Sequence, residues 1–418
     1  ICVIGLGKAG LPLACTIADS GLDVVGLDVN KEYVDRISRM ENPIPEEPGV
    51  QEILDKCIGN NFTVMSDSDS VDLVECRVHI VIVPLFIDEE TKQCDFSILE
   101  RAFSGLARRV KKGDLVVLET TVPPKTTETF VKKLLEDGSG LVAGVDFSLA
   151  YSPERIMTGY SISRYKEFPK VVGGLTEGCG NRAFDVYSKF CNKVERVKDC
   201  RTAELVKVAE GVYRDVNIGL ANELYVAAEK LGVDYWQVRD KANHAFCNLH
   251  EPGIVGGHCI PVYSWFLINN PELDMGVVKT ARLLSDSMAK YYAEKVDKII
   301  SSSGNEIDKN SIKVAVIGLS YREGVKEKAY SGSFLMIKAL KQKGYEVYGL
   351  DPYYNLDEVK SVFGVEPVAL NGIAEMDAIV LLNKLDEYKE ELMVVKDKVV
   401  DAKNILVDKV SIGEVKND

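Results

Sequence analysis

The sequence lacks any surplus of positive charge: 51 Lys and Arg stand against 64 Asp and Glu, a formal net charge of -13. An acidic field repels polyanions, so there is no basic footprint for DNA or RNA. Also missing is an apolar run near the 18 or so residues that a bilayer span requires. No positively charged, cleavable leader is expected. A cytoplasmic location is expected, with neither nucleic acid nor membrane as partner. The ten cysteines never fall in a CxxC pair, which argues against a zinc site or a disulfide framework, and no metal is expected. Most of them read as small buried hydrophobes. What remains is ordinary globular composition, 46% hydrophobic and 28% charged over 418 residues. At about 150 residues per domain, that allows two or three domains with cores of their own.

Ile1-Cys2-Val3-Ile4 is an apolar strand running straight into Gly5-Leu6-Gly7-Lys8-Ala9-Gly10. A helical stretch, Leu11 to Ser20, and a second strand closing on Asp28 follow. Strand, GxGxxG, helix and acid-terminated strand form the dinucleotide-binding arrangement. The glycines permit a tight turn and close backbone approach, and the helix N-terminus faces a pyrophosphate. Gly5, Gly7, Lys8, Ala9 and Gly10 are therefore candidate cofactor-binding residues, with Asp28 placed for the ribose hydroxyls. A carboxylate there repels a 2′-phosphate, so the expected cofactor is NAD and not NADP.

Apolar runs at Val78 to Val83, Leu115 to Leu118 and Phe147 to Tyr151, with helical patterns such as Ile98 to Val110 and Thr126 to Leu135 between them, continue a parallel α/β sheet. From Ala203 to Gly232 a helical period takes over (Leu205, Val208, Val212, Val216, Leu220, Leu224, Ala227, Leu231), with no turn signal. A helix that long measures about 45 Å, a spine between domains and a natural oligomer interface. After the polar Ser301-Ser302-Ser303-Gly304-Asn305, Lys313 to Leu319 echoes Ile1 to Leu6, and Glu346 to Asp351 echoes Asp23 to Asp28. This second half reads Gly318-Leu319-Ser320-Tyr321 where the first has GxGxxG. It is expected to hold something other than a second dinucleotide, at a loop made basic by Arg322, Lys326 and Lys328. The expected fold is α/β: two Rossmann-like parallel-sheet domains joined by a long central helix and a helical middle region, divided 1–195, 196–305 and 306–418.

Chemistry concentrates in Gly253-Ile254-Val255-Gly256-Gly257-His258-Cys259-Ile260-Pro261. A cysteine after a glycine pair can be approached closely by a ligand, and backbone N–H groups there can face a developing oxyanion. Cys259 is the candidate nucleophile; His258 is a weaker candidate for lowering its pKa. Two strands end in polar residues beside where a nicotinamide would sit, Glu119-Thr120-Thr121 before Val122-Pro123-Pro124, and Ser152-Pro153-Glu154-Arg155 after Tyr151. Lys207 lies on the mostly apolar face of the long helix, as a snorkelling residue or as a placed cation.

Together, Gly5 to Pro12, Thr121-Val122-Pro123, Ser152-Pro153-Glu154, Glu204 to Glu210, Tyr213 to Ile218, Gly256 to Pro261 and Asp351-Pro352-Tyr353 resemble the UDP-glucose/GDP-mannose 6-dehydrogenases over essentially the whole chain. Gly-Gly-His-Cys-Ile-Pro and Tyr-Arg-Asp-Val-Asn-Ile are typical of the UDP-N-acetylhexosamine branch, which includes UDP-N-acetyl-D-mannosamine dehydrogenases. The resemblance implies a four-electron oxidation of a sugar C6 alcohol to a carboxylate, with two NAD+ reduced in turn and Cys259 carrying a thiohemiacetal and then a thioester. It implies that Lys207 stabilises the alkoxide-like oxygen and that Glu154 and Thr121 position the hydrolytic water, with Pro84 and Thr121 also beside the cofactor. Arg155, Ile156, Lys207, Arg214, His244, Gly257, Tyr321 and Arg322 are implied at the UDP-sugar, in a homodimer or higher homo-oligomer.

Departures from the pattern are also present. Gly211 stands where the family usually has Asn, Tyr263 where it has Asp, and Phe246 and Ala329 where it has Arg. The basic residue usual five positions after the ribose acid is Tyr33. Two other readings compete: a two-electron hydroxyacid dehydrogenase, which needs neither Cys259 nor the second half, and a non-catalytic NAD-binding relative.

Overall fold

Short runs of Val, Ile and Leu become strands here because both faces of each sheet are covered, which suits residues that pack on a pleated surface. The structure is a computed structural model and describes residues 1–66, 75–156, 159–302 and 311–406. The expected polar boundary at Ser303-Gly304-Asn305 lies outside the described residues. The chain forms two compact units, Ile1–Glu210 with Trp265–Asn269, and Gly211–Ser264 with the chain from Asn270 onward.

In the first unit, in chain order, are β1 (Cys2–Ile4), β2 (Val24–Asp28), β3 (Phe62–Ser66), β4 (Val78–Val81), a small antiparallel hairpin of β5 (Phe86–Ile87) and β6 (Cys94–Asp95), β7 (Leu115–Leu118), β8 (Ser148–Tyr151), β9 (Lys170–Gly174) and β10 (Val194–Arg196). All but the hairpin form one eight-stranded sheet, ordered β10-β9-β8-β7-β4-β1-β2-β3. The six neighbours β8-β7-β4-β1-β2-β3 are parallel in the doubly wound order. Alternation divides each strand between two cores: Leu115 and Val117 enter one, Val116 and Leu118 the other. The wholly parallel expectation gives way at β9, which pairs antiparallel to β8. The sequence there, Lys170-Val171-Val172-Gly173-Gly174, carries no marker of strand direction.

The second unit contains β11 (Lys313–Ile317), β12 (Glu346–Leu350), β13 (Glu366–Pro367), β14 (Ala378–Leu381) and β15 (Val399–Asp401), an all-parallel sheet ordered β13-β12-β11-β14-β15. Its first three strands and the next repeat the topology of the first unit.

The predicted long helix is present as Cys200–Lys230, 31 residues. Its apolar residues do not form one buried face. Ala221, Tyr225 and Ala228 are buried, whereas Tyr213, Leu220, Leu224 and Leu231 are 58%, 45%, 37% and 77% exposed. Small residues explain the inversion: a Cβ on Gly219 would lie 2.8 Å from the Cβ of Ala281, so the helix Gly276–Ser302 packs too closely for leucines to fit between. The helix expected at Thr126 to Leu135 opens with one wide π-type turn, Thr127–Val131, before the α-helix Lys132–Ser139. There the buried Glu204 carboxylate accepts the N–H groups of Lys125 and Thr127.

Candidate functional site

The glycine loop of the first unit is shaped by contacts that allow no side chain. Gly5 has φ +94°, and a Cβ on it would sit 2.6 Å from the Ile82 carbonyl oxygen. A Cβ on Gly10 would sit 1.8 Å from the Gly5 oxygen, whereas Gly7 faces open space, which leaves its backbone open to close approach by a ligand. The helix that follows, Gly10–Asp19, has no side-chain cap and no acid in its first turn, so its N-terminus favours an anion. Lys8 lies 3.5 Å from Glu46 at the surface. Asp28 accepts the N–H of Leu6 at 2.8 Å on one oxygen and that of Asn30 at 2.9 Å on the other. A carboxylate has about four acceptor positions, so about two remain for ribose hydroxyls. Pro84 follows β4 and Thr121 follows β7, both at carboxyl ends of parallel strands.

Beside Thr121 the same unit holds a buried cluster of carboxylates. Glu119, wholly buried, accepts from Lys170 Nζ at 2.7 Å and from the Tyr187 hydroxyl. Burial pushes the Glu154 carboxyl above its ordinary pKa, while the nearby Lys207 charge and the Ile156 N–H draw it partly back. Lys207 is half-buried on the long helix. Glu154 and Lys207, singled out separately in the sequence, thus interact. Arg155 pairs with Glu210 and donates to the Pro169 carbonyl at 3.0 Å.

In the second unit the cysteine loop rests on the loop after β11. A Cβ on Gly257 would lie 2.8 Å from the Tyr321 ring and one on Gly256 2.9 Å from the Tyr330 carbonyl, and the Gly257 N–H donates to the Ala329 carbonyl at 3.1 Å. This brings Gly257 and Tyr321 together, with Arg322 Nε on the Tyr321 hydroxyl at 3.0 Å. Cys259 is exposed. Its neighbour His258 faces Glu327 at 3.8 Å and not the thiol. The sulfur instead accepts from the Tyr263 hydroxyl at 3.3 Å. Gly253, Gly318, Ser320, Tyr321, Ser331 and Asn383 line a hollow at the carboxyl edge of this sheet. Arg214 and His244 are both exposed, the latter accepting the Phe246 N–H at 3.1 Å.

Sequence reasoning missed the Lys170 partner of Glu119 and the buried pair of Asp215 with Arg282 at 2.5 Å, in which Ser264 also donates to Asp215 at 2.5 Å. Both pairs join residues far apart in sequence, and a lone basic residue in a strand or helix gives no local signal.

Models of three domains of one family match the chain in order: the NAD binding domain over residues 1–191, the central domain over 201–285 and the UDP binding domain over 315–409 of the UDP-glucose/GDP-mannose dehydrogenase family. A UDP-N-acetyl-D-mannosamine dehydrogenase of Methanocaldococcus jannaschii is 33% identical over 420 residues, covering 97% of this chain and 92% of that one. Among solved structures, the UDP-D-ManNAc dehydrogenase of Pyrococcus horikoshii superposes with a TM-score of 0.87 at 29% identity, covering 99% and 98% of the two chains. The UDP-N-acetyl-mannosamine dehydrogenase Cap5O of Staphylococcus aureus does so with 0.81 at 31% identity, covering 97% and 95%.

A doubly wound sheet with a glycine loop, followed by a central helix and a second nucleotide-binding half, defines an NAD-dependent UDP-sugar dehydrogenase, acting at the sugar C6. The chain belongs to the UDP-glucose/GDP-mannose dehydrogenase family. The match through the second half sets aside the hydroxyacid dehydrogenase reading.

Proposed function

We propose that the substrate is UDP-N-acetyl-D-mannosamine and the product its uronate. The observation that carries this is the near full-length similarity to dehydrogenases of that name, at 33% and 32% identity in several organisms. UDP-N-acetylglucosamine and UDP-glucose are the alternatives. Gly5, Gly7, Lys8, Ala9, Gly10 and Asp28 hold the NAD, with Pro84 and Thr121 at its nicotinamide end; when bound, it accepts the hydrides. Cys259 adds to the aldehyde carbon as thiolate, the C=O electron pair moves onto the aldehyde oxygen, and Lys207 stabilises that oxygen. After the second oxidation, Glu154 takes a proton from water as the water attacks the thioester, and the Cys259 sulfur leaves. Arg155, Ile156, Arg214, His244, Gly257, Tyr321 and Arg322 contact the UDP-sugar. The parts 1–195, 196–305 and 306–418 serve as NAD, central and UDP-sugar domains, a division supported by the three family matches.

A homodimer in the cytoplasm is also proposed. Its support is the outward stripe Tyr213, Leu220, Leu224 and Leu231, whose spacing of seven, four and seven keeps one side of a helix apolar and exposed. No helix among the described residues is long and apolar enough to cross a membrane.

Assay of NADH with UDP-ManNAc, UDP-GlcNAc and UDP-glucose side by side tests the substrate. Fastest turnover with UDP-ManNAc at two NADH per sugar is expected, and Cys259→Ser abolishes uronate formation. One NADH with free aldehyde released would sink the covalent route. The kcat profile of the natural enzyme should fall as pH drops through a limb lying above the ordinary carboxylate range, because the base form of Glu154 is lost as its raised pKa is crossed. Glu154→Gln should remove that limb and slow turnover about 100-fold.

A further inference from the structure

We infer that Tyr263 is a positioning residue for the Cys259 thiolate and that Gly211 is glycine to make room for it. The inference rests on the proposed role of Cys259 as nucleophile. Tyr263 lies four residues after Cys259, at the start of the helix Ile260–Ile268, and its N–H donates to the Cys259 carbonyl at 3.0 Å. One turn of helix thus carries both groups, and the Tyr263 hydroxyl reaches back to the cysteine sulfur at 3.3 Å. The ring is 8% exposed, while Cys259 faces solvent. A buried ring with its hydroxyl on an exposed sulfur fixes the direction of that sulfur.

Gly211 supplies the second observation. It stands inside the helix Cys200–Lys230, where glycine is a poor helix former, and its backbone is in no conformation that requires glycine. Space is what requires it. A Cβ at 211 would lie 2.5 Å from Tyr263 Cδ2 and 3.3 Å from its Cβ and Cγ. The two unusual residues are therefore one arrangement: absence of a side chain at 211 seats the ring at 263, and the ring carries the hydroxyl to Cys259.

The hydrogen bond favours the reactive form. A phenol ordinarily titrates near 10 and a thiol near 8.5, so the proton stays on oxygen when the sulfur ionises, and a donor to the thiolate favours the charged state. Once sulfur has bonded to the aldehyde carbon it is a weaker acceptor, so the contact acts mainly before attack. Other charged groups at the loop in this unit are His258, which turns to Glu327 at 3.8 Å, and Arg322, whose Nε lies on the Tyr321 hydroxyl at 3.0 Å.

The test follows the rate of Cys259 alkylation by iodoacetamide against pH, read by peptide mass spectrometry, together with NADH formation. Tyr263→Phe keeps the ring and should raise the alkylation midpoint by about one pH unit. Its kcat should fall about tenfold with KM for the sugar unchanged. Gly211→Ala keeps the hydroxyl but displaces the ring, and should shift the midpoint in the same direction; added to Tyr263→Phe it should shift it no further. A wild-type midpoint and kcat in Tyr263→Phe overturns the inference. Cys259→Ser separates the two readings: full four-electron turnover in that variant would remove the nucleophile, while the alkylation midpoint still reports on the bond between Tyr263 and Cys259.

Discussion

The two Rossmann-like halves build their first loop alike and then part. In each, a glycine in the left-handed region follows the first strand, Gly5 and Gly318, with its N–H on the carbonyl of Leu27 or Leu350 at 2.8 and 2.9 Å. In each, the next leucine covers a glycine of the second strand, Leu6 over Gly26 and Leu319 over Gly349, and gives its N–H to an acid at 2.8 Å, Asp28 or Asp351. The divergence starts one residue later. Asp28 is half-buried and takes two N–H groups, whereas Asp351 is 3% exposed and takes three, from Leu319, Ser320 and Tyr353. The first half enters its helix at Gly10 with no cap; the second enters at Gly332 behind a Ser331 cap, with the hydroxyls of Ser331 and Ser333 both on the Leu319 carbonyl. Groups that the proposed site leaves open to a dinucleotide in the first half have counterparts satisfied internally in the second. Recognition there passes to side chains of the longer loop, Tyr321 and Arg322 in the proposed site.

Glycine substitution tests this contrast most severely. Gly10→Ala places a Cβ 1.8 Å from the Gly5 oxygen, backbone against backbone, with no side chain able to yield. NAD affinity measured by titration calorimetry should fall at least about 100-fold. The matching Gly332→Ala meets Ile254 at both Cγ2 and Cβ, 2.7 and 2.8 Å away, and since a Cβ cannot rotate aside the backbone at Ile254 must move; NAD affinity should stay near wild type while KM for the sugar rises about tenfold. Equal loss of NAD binding in both variants would break the contrast.

Asp351→Asn should then act on stability alone. The amide has one acceptor oxygen, so an N–H of Leu319, Ser320 or Tyr353 loses its partner in a buried place. A cost of about 2 kcal/mol and a melting temperature lower by several degrees are expected, with KM for NAD unchanged. A change in NAD affinity here would mean that the second half shares in cofactor binding.

Much of this contrast was legible in the sequence, because its parts are local. Gly5 to Gly10 with Asp28 announces a dinucleotide loop, the echo at Lys313 and Glu346 announces a second half, and loss of the glycines at Ser320 and Tyr321 announces a different ligand. Period and turn signals likewise placed the long helix to within a few residues. What escaped depended on partners remote in sequence. Leu220 and Leu224 match an inward apolar period as well as an outward one, and only the close approach of Gly219 to Ala281 decides which face is buried. The antiparallel turn of β9, and the partners Lys170 of Glu119 and Arg282 of Asp215, are decided the same way. Gly211 and Tyr263 read as two separate departures until the structure placed the ring of one over the other.

Asp28→Asn is the mildest change and the finest test of the same comparison. An asparagine can still accept the Leu6 N–H through its one oxygen, and its site is half open to water, so stability should hardly move. What changes is the charge at the position proposed to face the ribose. A carboxylate accepts from both ribose hydroxyls and repels a 2′-phosphate; the neutral amide does neither as well. NAD affinity should fall about tenfold, and the preference for NAD over NADP should narrow by a similar factor, both read from kcat/KM with each cofactor. A loss of melting temperature as large as that of Asp351→Asn, with cofactor preference intact, would show that the two acids do the same work and that the halves diverge elsewhere.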